Sequence, residues 1–355
     1  MKKPLSILLA VLMLIAMMGG CASPVSEPVA EAPTAAPATE KPAVVEPAKA
    51  EPLKIGVSIM ELTAYTWYLG VIDGCNQWAA DHPDSNVEFQ FEDSASDVST
   101  MLNNIDNLVT AGAKGVILFP ADASSAIPTM KQYTAQGIPF VIGDYAQQPN
   151  SDEDIVWETF VGHDMKALGE TAGKVAVEYL KTLGKDDPTC LFISRPTSGQ
   201  VSADRVEGFR SVVLAAFPNA KIIEEGDAGA GSRASAQDLV ENILQREAVI
   251  DVVCGHNDAE VIGAYNAAVS QNRTEIKFVG IAGDKDVLGY ITDGNKAWIG
   301  EVLQDPVVLG YTAMDAMWQA LVEGKDLPAK FDLPQPEAIT SDNIADYKWQ
   351  TWSWL

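Results

Sequence analysis

AGAKGVILFPADASSAIPTMKQYTAQGIPFVIGD, residues 111–144, contains two apolar runs of strand length separated by one helical pattern. GVILFP and PFVIGD are unbroken apolar stretches, which is how strands covered on both faces read. The segment around 124–136 carries helical spacing, ends at Gly137 and meets Pro139 just before the second run. Gly112 closes the preceding helix in the same way, and Asp97 or Ser99 is placed to cap its start. Strand, helix, strand in this order predicts a right-handed βαβ unit and a parallel sheet with helices on both sides.

The pattern extends in both directions. LKIGVSI and VEFQFE precede the two runs above, with helices expected around 67–81 and 98–111. It then restarts with TCLFIS, AKIIEEG, IDVVCG and KFVGIA, and helices are expected around 201–216, 234–246, 259–271 and 285–293. Eight strands in two comparable sets point to an α/β chain of two doubly wound lobes, and 355 residues exceed what one core usually supports. A closed eight-stranded barrel satisfies the same periodicity.

The amino-terminal fifty residues follow different rules. Lys2 and Lys3 precede LSILLAVLMLIAMM, which is short for a spanning helix and suits a signal-peptide core. MGGC follows, ending at Cys21. This resembles the lipobox of bacterial lipoproteins, with Met18 in place of the usual Leu, and implies a signal peptide over 1–20 and lipidation at Cys21. Residues 22–52 hold seven prolines and nine alanines and no aromatic, a composition that cannot bury enough apolar surface to fold. A polyproline-like tether over 21–52 reaches roughly 95 Å at about 3.1 Å per residue. The remaining cysteines, Cys75, Cys190 and Cys254, have no CxxC spacing and fall in apolar runs or on a helix face, so buried thiols are expected. A net charge of −25 repels phosphate backbones and anionic membrane surfaces, which excludes nucleic acid as a partner and leaves the lipid as the only membrane contact.

Taken in order, KIGVSIM, WYLGVIDG, TAGAKGVILFPAD, GIPFVIGD, RVEGFR, GHNDAEVIGA and KFVGIAGDKDV resemble the type I periplasmic binding proteins, in particular the ribose-binding group. The likeness runs from about Lys54 to Lys348. Lactose-repressor-type regulators share this core, but here a lipidation signal and tether stand where their DNA-binding head would be. The resemblance implies two lobes joined by a three-strand hinge with ligand in the cleft between them. Crossings are then expected near 162–164, 303–305 and 324–327. The first lobe would comprise 53–162 plus 304–326, and the second 163–303 plus 327–355. It also implies a monomer with no cofactor and no metal, placed outside the cytoplasm, that delivers a small carbohydrate to an ABC permease and its ATPase. A sensory receptor feeding a chemoreceptor or sensor kinase, and a binder of a furanone, nucleoside or amino acid, stand as alternatives.

A sugar presents hydroxyls at its rim and C–H patches on its faces, so its site needs flat apolar walls and a ring of directional polar groups. By the resemblance, Trp67 and Tyr68 supply the wall and Tyr65 a polar ligand contact, although helical periodicity assigns Tyr68 to the core. Asp144 matches the family's strand-end carboxylate, with Tyr145 where Arg is usual. Asn257 matches a hydroxyl-binding Asn, with Asp258 as helix cap, and Gln304 matches a cleft glutamine. Asp93 is a further candidate that turn chemistry explains equally well. The family's second-lobe Arg aligns with Ala203, leaving Arg205 a structural role, and its fourth-strand carboxylate aligns with Ala282. Gln200 and Asp284 are placed to compensate, so ribose itself is not implied. Catalysis finds no footing: GxSxG and a phosphate loop are absent, and the His–carboxylate neighbours lie on opposite strand faces. For Trp349, Trp352 and Trp354, packing is the plain reading, with a partner contact or closure over the cleft as the others.

Overall fold

The apolar runs become the inner strands of two sheets. The computed structural model describes residues 51–63, 66–144, 155–226 and 232–355. The signal peptide, Cys21, nearly all of the tether, Tyr65 and Tyr145 therefore lie outside the described residues. In the first sheet, β1 (Leu53–Ile59), β3 (Gly115–Leu118) and β4 (Phe140–Gly143) are central, and every residue of β3 and β4 is buried. β2 (Val87–Asp93) forms one edge, while β5 (Thr159–Gly162) and the short β11 (Lys330–Asp332) complete the other, giving the order β11-β5-β4-β3-β1-β2 with all pairs parallel. The second sheet is built from β6 (Thr189–Ser194), β7 (Lys221–Gly226), β8 (Val252–Gly255), β9 (Lys277–Ala282), β10 (Trp298–Leu303) and β12 (Ala338–Ile339). Its order is β12-β10-β9-β8-β6-β7, with only β12 antiparallel. Two open sheets replace the single barrel that periodicity alone left possible.

Helices cover both faces of each sheet. α1 (Trp67–Asp81), α2 (Val98–Thr110), α3 (Ala123–Thr134) and α9 (Pro306–Leu321) belong to the first. Tyr68, Val71 and Trp78 of α1 bury one face with Leu309, Met314 and Met317 of α9, while Met101, Ile105 and Leu108 of α2 fill the other with Met130. α4 (Met165–Lys181), α5 (Gln200–Ala216), α6 (Arg233–Arg246), α7 (Asp258–Ser270) and α8 (Lys285–Thr292) cover the second. Asp97 rather than Ser99 caps α2, its side chain accepting from the Thr100 amide at 2.7 Å. α4 was not among the expected helices; its buried face sets Leu168, Val177 and Leu180 among alanines and glycines. The three cysteines are buried and unpaired. Among the described residues no helix is long and apolar enough to cross a membrane.

The chain passes between the sheets three times: from β5 to α4, from β10 to α9, and from β11 to β12. His163 Nε2, in the first passage, lies 3.1 Å from the carbonyl of Asp305 in the second, tying the two together. The third passage differs from expectation. Residues after 327 were assigned to the second lobe, but Lys330 pairs with Phe160 and Asp332 with Gly162, so β11 edges the first sheet and the crossing falls between Asp332 and Ala338. Three residues are too few to show a period, and only the open edge of β5 gives their amides partners.

α1 and α9 approach as closely as backbones allow. A Cβ on Gly74 would stand 2.1 Å from the carbonyl oxygen of Val307, and one on Gly310 would stand 2.1 Å from that of Val71. Gly310→Ala should therefore force the helices apart and lower stability by about 1–3 kcal/mol. Urea unfolding reads this directly, and an unchanged midpoint would contradict the close crossing.

Candidate ligand-binding site

The carboxyl ends of both sheets face one cavity of about 640 Å³, the place where open parallel sheets present loops and helix amino termini. From the first lobe it receives Trp67 and Tyr68, at the start of α1, and Asp144, directly after β4. Tyr68 donates from its hydroxyl to Asp144 Oδ2 at 2.6 Å. Asp144 has a left-handed backbone, φ 64°, which Asp tolerates better than most residues and which belongs to a constrained turn. Burial raises its carboxyl above the usual range, opposed by the Tyr68 hydrogen bond and the charge of Arg205. Trp67 packs edge-on against Tyr68, with centroids 5.1 Å apart, and its Nε1 donates to the backbone carbonyl of Gln304 at 2.8 Å.

The second lobe supplies Arg205, buried on α5. Its guanidinium donates through Nη1 to the carbonyl of His256 and through Nη2 to Gln304 Oε1 at 2.7 Å, while Nε has no partner. Burial pulls it down to about 10, so it stays charged at neutral pH. The sequence reading assigned Arg205 a structural role because Ala203 occupied the family's arginine position. The structure brings Arg205 itself to the cavity, and a lone Arg on an otherwise apolar helix face was the available signal. Arg195, at the end of β6, also lines the cavity and pairs with buried Glu260 at 2.7 Å. His256 is held neutral by burial and by these two arginines.

Asn257 takes the helix-capping role expected of Asp258. Asn257 is the cap of α7, its side chain accepting from the Ala259 amide at 3.0 Å, which leaves its amide nitrogen for the cavity. Asp258 is turned inward to the loop after β9. Its Oδ2 accepts from the amides of Gly283 (3.1 Å) and Asp284 (2.8 Å), while Glu301 Oε1 accepts from Ala282 (2.9 Å) and Gly283 (2.6 Å). The other oxygens, Asp258 Oδ1 and Glu301 Oε2, have no hydrogen-bond partner and crowd over Gly280, where a Cβ would be 2.3 Å and 1.9 Å from them. Two carboxyls buried this close together oppose a second negative charge, which favours a proton retained by the pair. Burial first, and their mutual charge second, raise Glu301 well above the carboxylate range, and Asp258 rises with it.

Of the remaining candidates, Gln304 and Asp284 line the cavity, although Asp284 caps α8 and pairs with Arg233 at 3.0 Å. Gln200 is exposed and donates to Asp204, outside the cavity lining. Asp93 closes a turn onto the Ala95 amide at 2.9 Å, also outside it. Trp354 and Leu355 complete the lining. Among the described residues no cluster of His, Cys, Asp or Glu is arranged to hold a metal.

A protein family described as "Periplasmic binding protein domain" matches residues 55–326. The xylitol-binding protein of Mycolicibacterium smegmatis is 27% identical over 292 residues, 82% of this chain and 78% of that protein. The ribose import binding protein RbsB of Bacillus subtilis is 26% identical over 242 residues, 68% of this chain and 74% of that one. A crystal structure of an ABC transporter solute-binding protein from Mycobacterium smegmatis with bound glycerol superimposes with a TM-score of 0.67 at 26% identity, covering 83% of this chain and 96% of the other.

The shared proton sets a pH dependence. Folding keeps a proton that the unfolded carboxyls would release, so its stabilising effect is complete below their ordinary pKa and fades as pH rises toward the raised folded value. Glu301→Gln retains an acceptor for the loop amides and a donor for Asp258, with no proton to lose. Its stability should fall less than that of the parent between about pH 5 and 8, where one proton corresponds to about 1.4 kcal/mol per pH unit. Thermal melts across that range measure the two slopes, and equal slopes would exclude the shared proton.

Proposed function

The chain belongs to the periplasmic binding protein family, and from that premise we propose that it is the solute-binding subunit of an ABC importer for a small neutral polyhydroxylated solute, a monosaccharide or polyol. One observation carries the reading. Asp144 on the first lobe and Arg205 on the second attract each other across the cavity with no direct ion pair between them. A hydroxyl fits that gap because it donates to the carboxylate and accepts from the guanidinium at once. Hydrogen bonds to charged groups are each worth about 1.5–3 kcal/mol. Such a solute joins the two lobes and favours their closed arrangement, and the permease then recognises the closed form.

A zwitterionic amino acid is the second reading on the same pair, since it too offers opposite charges. The arrangement of Arg205 disfavours it. Both terminal nitrogens already donate to His256 and Gln304, which leaves Arg205 less able to grip a carboxylate through two parallel bonds from those nitrogens. A thermal-shift screen of pentoses, hexoses, polyols, nucleosides and amino acids separates the two. A bound solute at about 100 times its Kd stabilises by about 2.7 kcal/mol. Shifts are expected with polyols or sugars and should be reduced about tenfold or more in affinity by Asp144→Asn and by Trp67→Ala. A shift confined to amino acids or nucleosides would overturn the ligand class.

The relatives are binding proteins named for what they import and not enzymes. Delivery to a permease with its ATPase, a monomeric state and a location outside the cytoplasm belong to the same proposal. The MGGC sequence supports anchoring through lipid on Cys21. Expressed in a bacterium fed labelled palmitate, the parent should be labelled and membrane-bound, and Cys21→Ser should be neither. Equal labelling of both would remove the anchor from the proposal.

A further inference from the structure

Trp349, Trp352 and Trp354 do more than pad the second lobe. Trp349 is buried against it, its Nε1 donating to Thr292 Oγ1 at 3.1 Å, and Trp352 and Trp354 stack with centroids 5.0 Å apart. The same segment also reaches the first lobe. Thr66, at the start of α1, donates from Oγ1 to the carbonyl of Trp354 at 2.9 Å, and Ser353 Oγ donates to Asp73 Oδ2 further along α1.

The Trp354 ring lies between a glycine from each lobe. A Cβ on Gly70 of α1 would stand 2.6 Å from its Cδ1, and one on Gly283 would stand 3.0 Å from its Cη2. Only bare backbone on both sides leaves room for the indole. Trp354 is 4% exposed, lines the cavity, and its buried Nε1 has no partner. An unmet buried donor is costly, because it has lost its water without gaining a partner. Trp298 Nε1 is also unmet, but Trp298 does not line the cavity.

We propose that residues 349–355 form a strap tied across the cleft, and that Trp354 is a specificity-determining residue whose indole N–H meets an acceptor oxygen of the bound solute. Closing the lobes seats Trp354 against Gly70 and makes the Thr66 and Ser353 bonds, while opening must release them. The strap therefore adds to the closed form and slows escape of the solute. The ligand-facing half rests on the sugar or polyol reading above, whereas the tie between the lobes does not.

Two arms test the halves separately. In the first, hydrogen exchange is followed by mass spectrometry on peptides covering 66–74 and 349–355, without solute. Thr66→Val and Gly70→Ala should both speed exchange of the 349–355 peptide and leave peptides of the second-lobe strands unchanged. Unchanged exchange in both variants overturns the strap. In the second arm, Trp354→Phe keeps an aromatic ring in the stack and removes the N–H together with part of the bicyclic ring.

With xylitol, D-ribose and myo-inositol as probes, titration calorimetry should show about a tenfold weaker Kd for whichever the parent binds, corresponding to about 1.4 kcal/mol, with a faster off-rate and no loss of melting temperature. An unchanged Kd overturns the contact. If the parent binds none of the three and the thermal screen shifts only with amino acids or nucleosides, the sugar or polyol reading fails by itself. The same Trp354→Phe comparison is then made with the solute that shifted the thermal screen, and the exchange arm decides the strap regardless.

Discussion

Gln304 sits on the second passage between the sheets, where the Trp67 indole of one lobe donates to its carbonyl and the Arg205 guanidinium of the other donates to its side chain. One residue thus ties the first helix of the first lobe to the buried cation of the second. Because it lies on a connecting strand, any change in the angle between the lobes moves both donors relative to it. A solute held between Asp144 and Arg205 acts on the same geometry, so binding and closure share contacts and no separate relay between them is needed. His163, reaching Asp305 one residue further along, ties two of the three passages together and limits the directions in which they can bend.

Placing a charged guanidinium under the cavity is expensive in an interior of low polarity, and the surrounding structure offsets that cost. Arg205 gives hydrogen bonds to a carbonyl and an amide oxygen and feels the nearby charges of Asp144, Glu260 and Asp258. Arg195 is balanced more directly by Glu260. Overall acidity of the chain, at −25, therefore says nothing about the cavity, whose buried cations are locally matched.

What the sequence disclosed followed from local regularity. Unbroken runs such as GVILFP and TCLFIS marked inner strands because both faces of a parallel sheet are covered, while Asp144 and Gln304 were found through the family resemblance, each just beyond a strand end. Where the decisive partner is distant, the sequence was silent. β11 exists only through the edge of β5. The capping of α7 by Asn257 instead of Asp258 has the same origin: either can cap a helix, and the choice is made by the amides of Gly283 and Asp284 some twenty-five residues away. Arg205 was set aside because a register of aligned positions pointed to Ala203, whereas two residues along a helix changes the direction of a side chain by more than half a turn.

The departures at Ala203 and Ala282 and the strap along the cleft have a common physical consequence. At Ala282 the cavity meets a methyl group, and the amides of residues 282–284 are directed at Asp258 and Glu301 below the loop, away from a solute. The negative charge that a carboxylate at that position would bring to the ligand is instead held beneath the loop, diluted by a shared proton. With Trp354 lying over Gly283, this side of the cavity combines Ala282, Gly283 and the indole face with the charged Asp284 and Lys285 beside them. Asp144, Arg205 and Asn257 add directional polar groups elsewhere on its wall. A solute suited to such a cavity has one face of C–H groups for the Ala282–Trp354 side and hydroxyls clustered toward the Asp144–Arg205 side. That asymmetry, more than the number of hydroxyls, is what the cavity is built to distinguish.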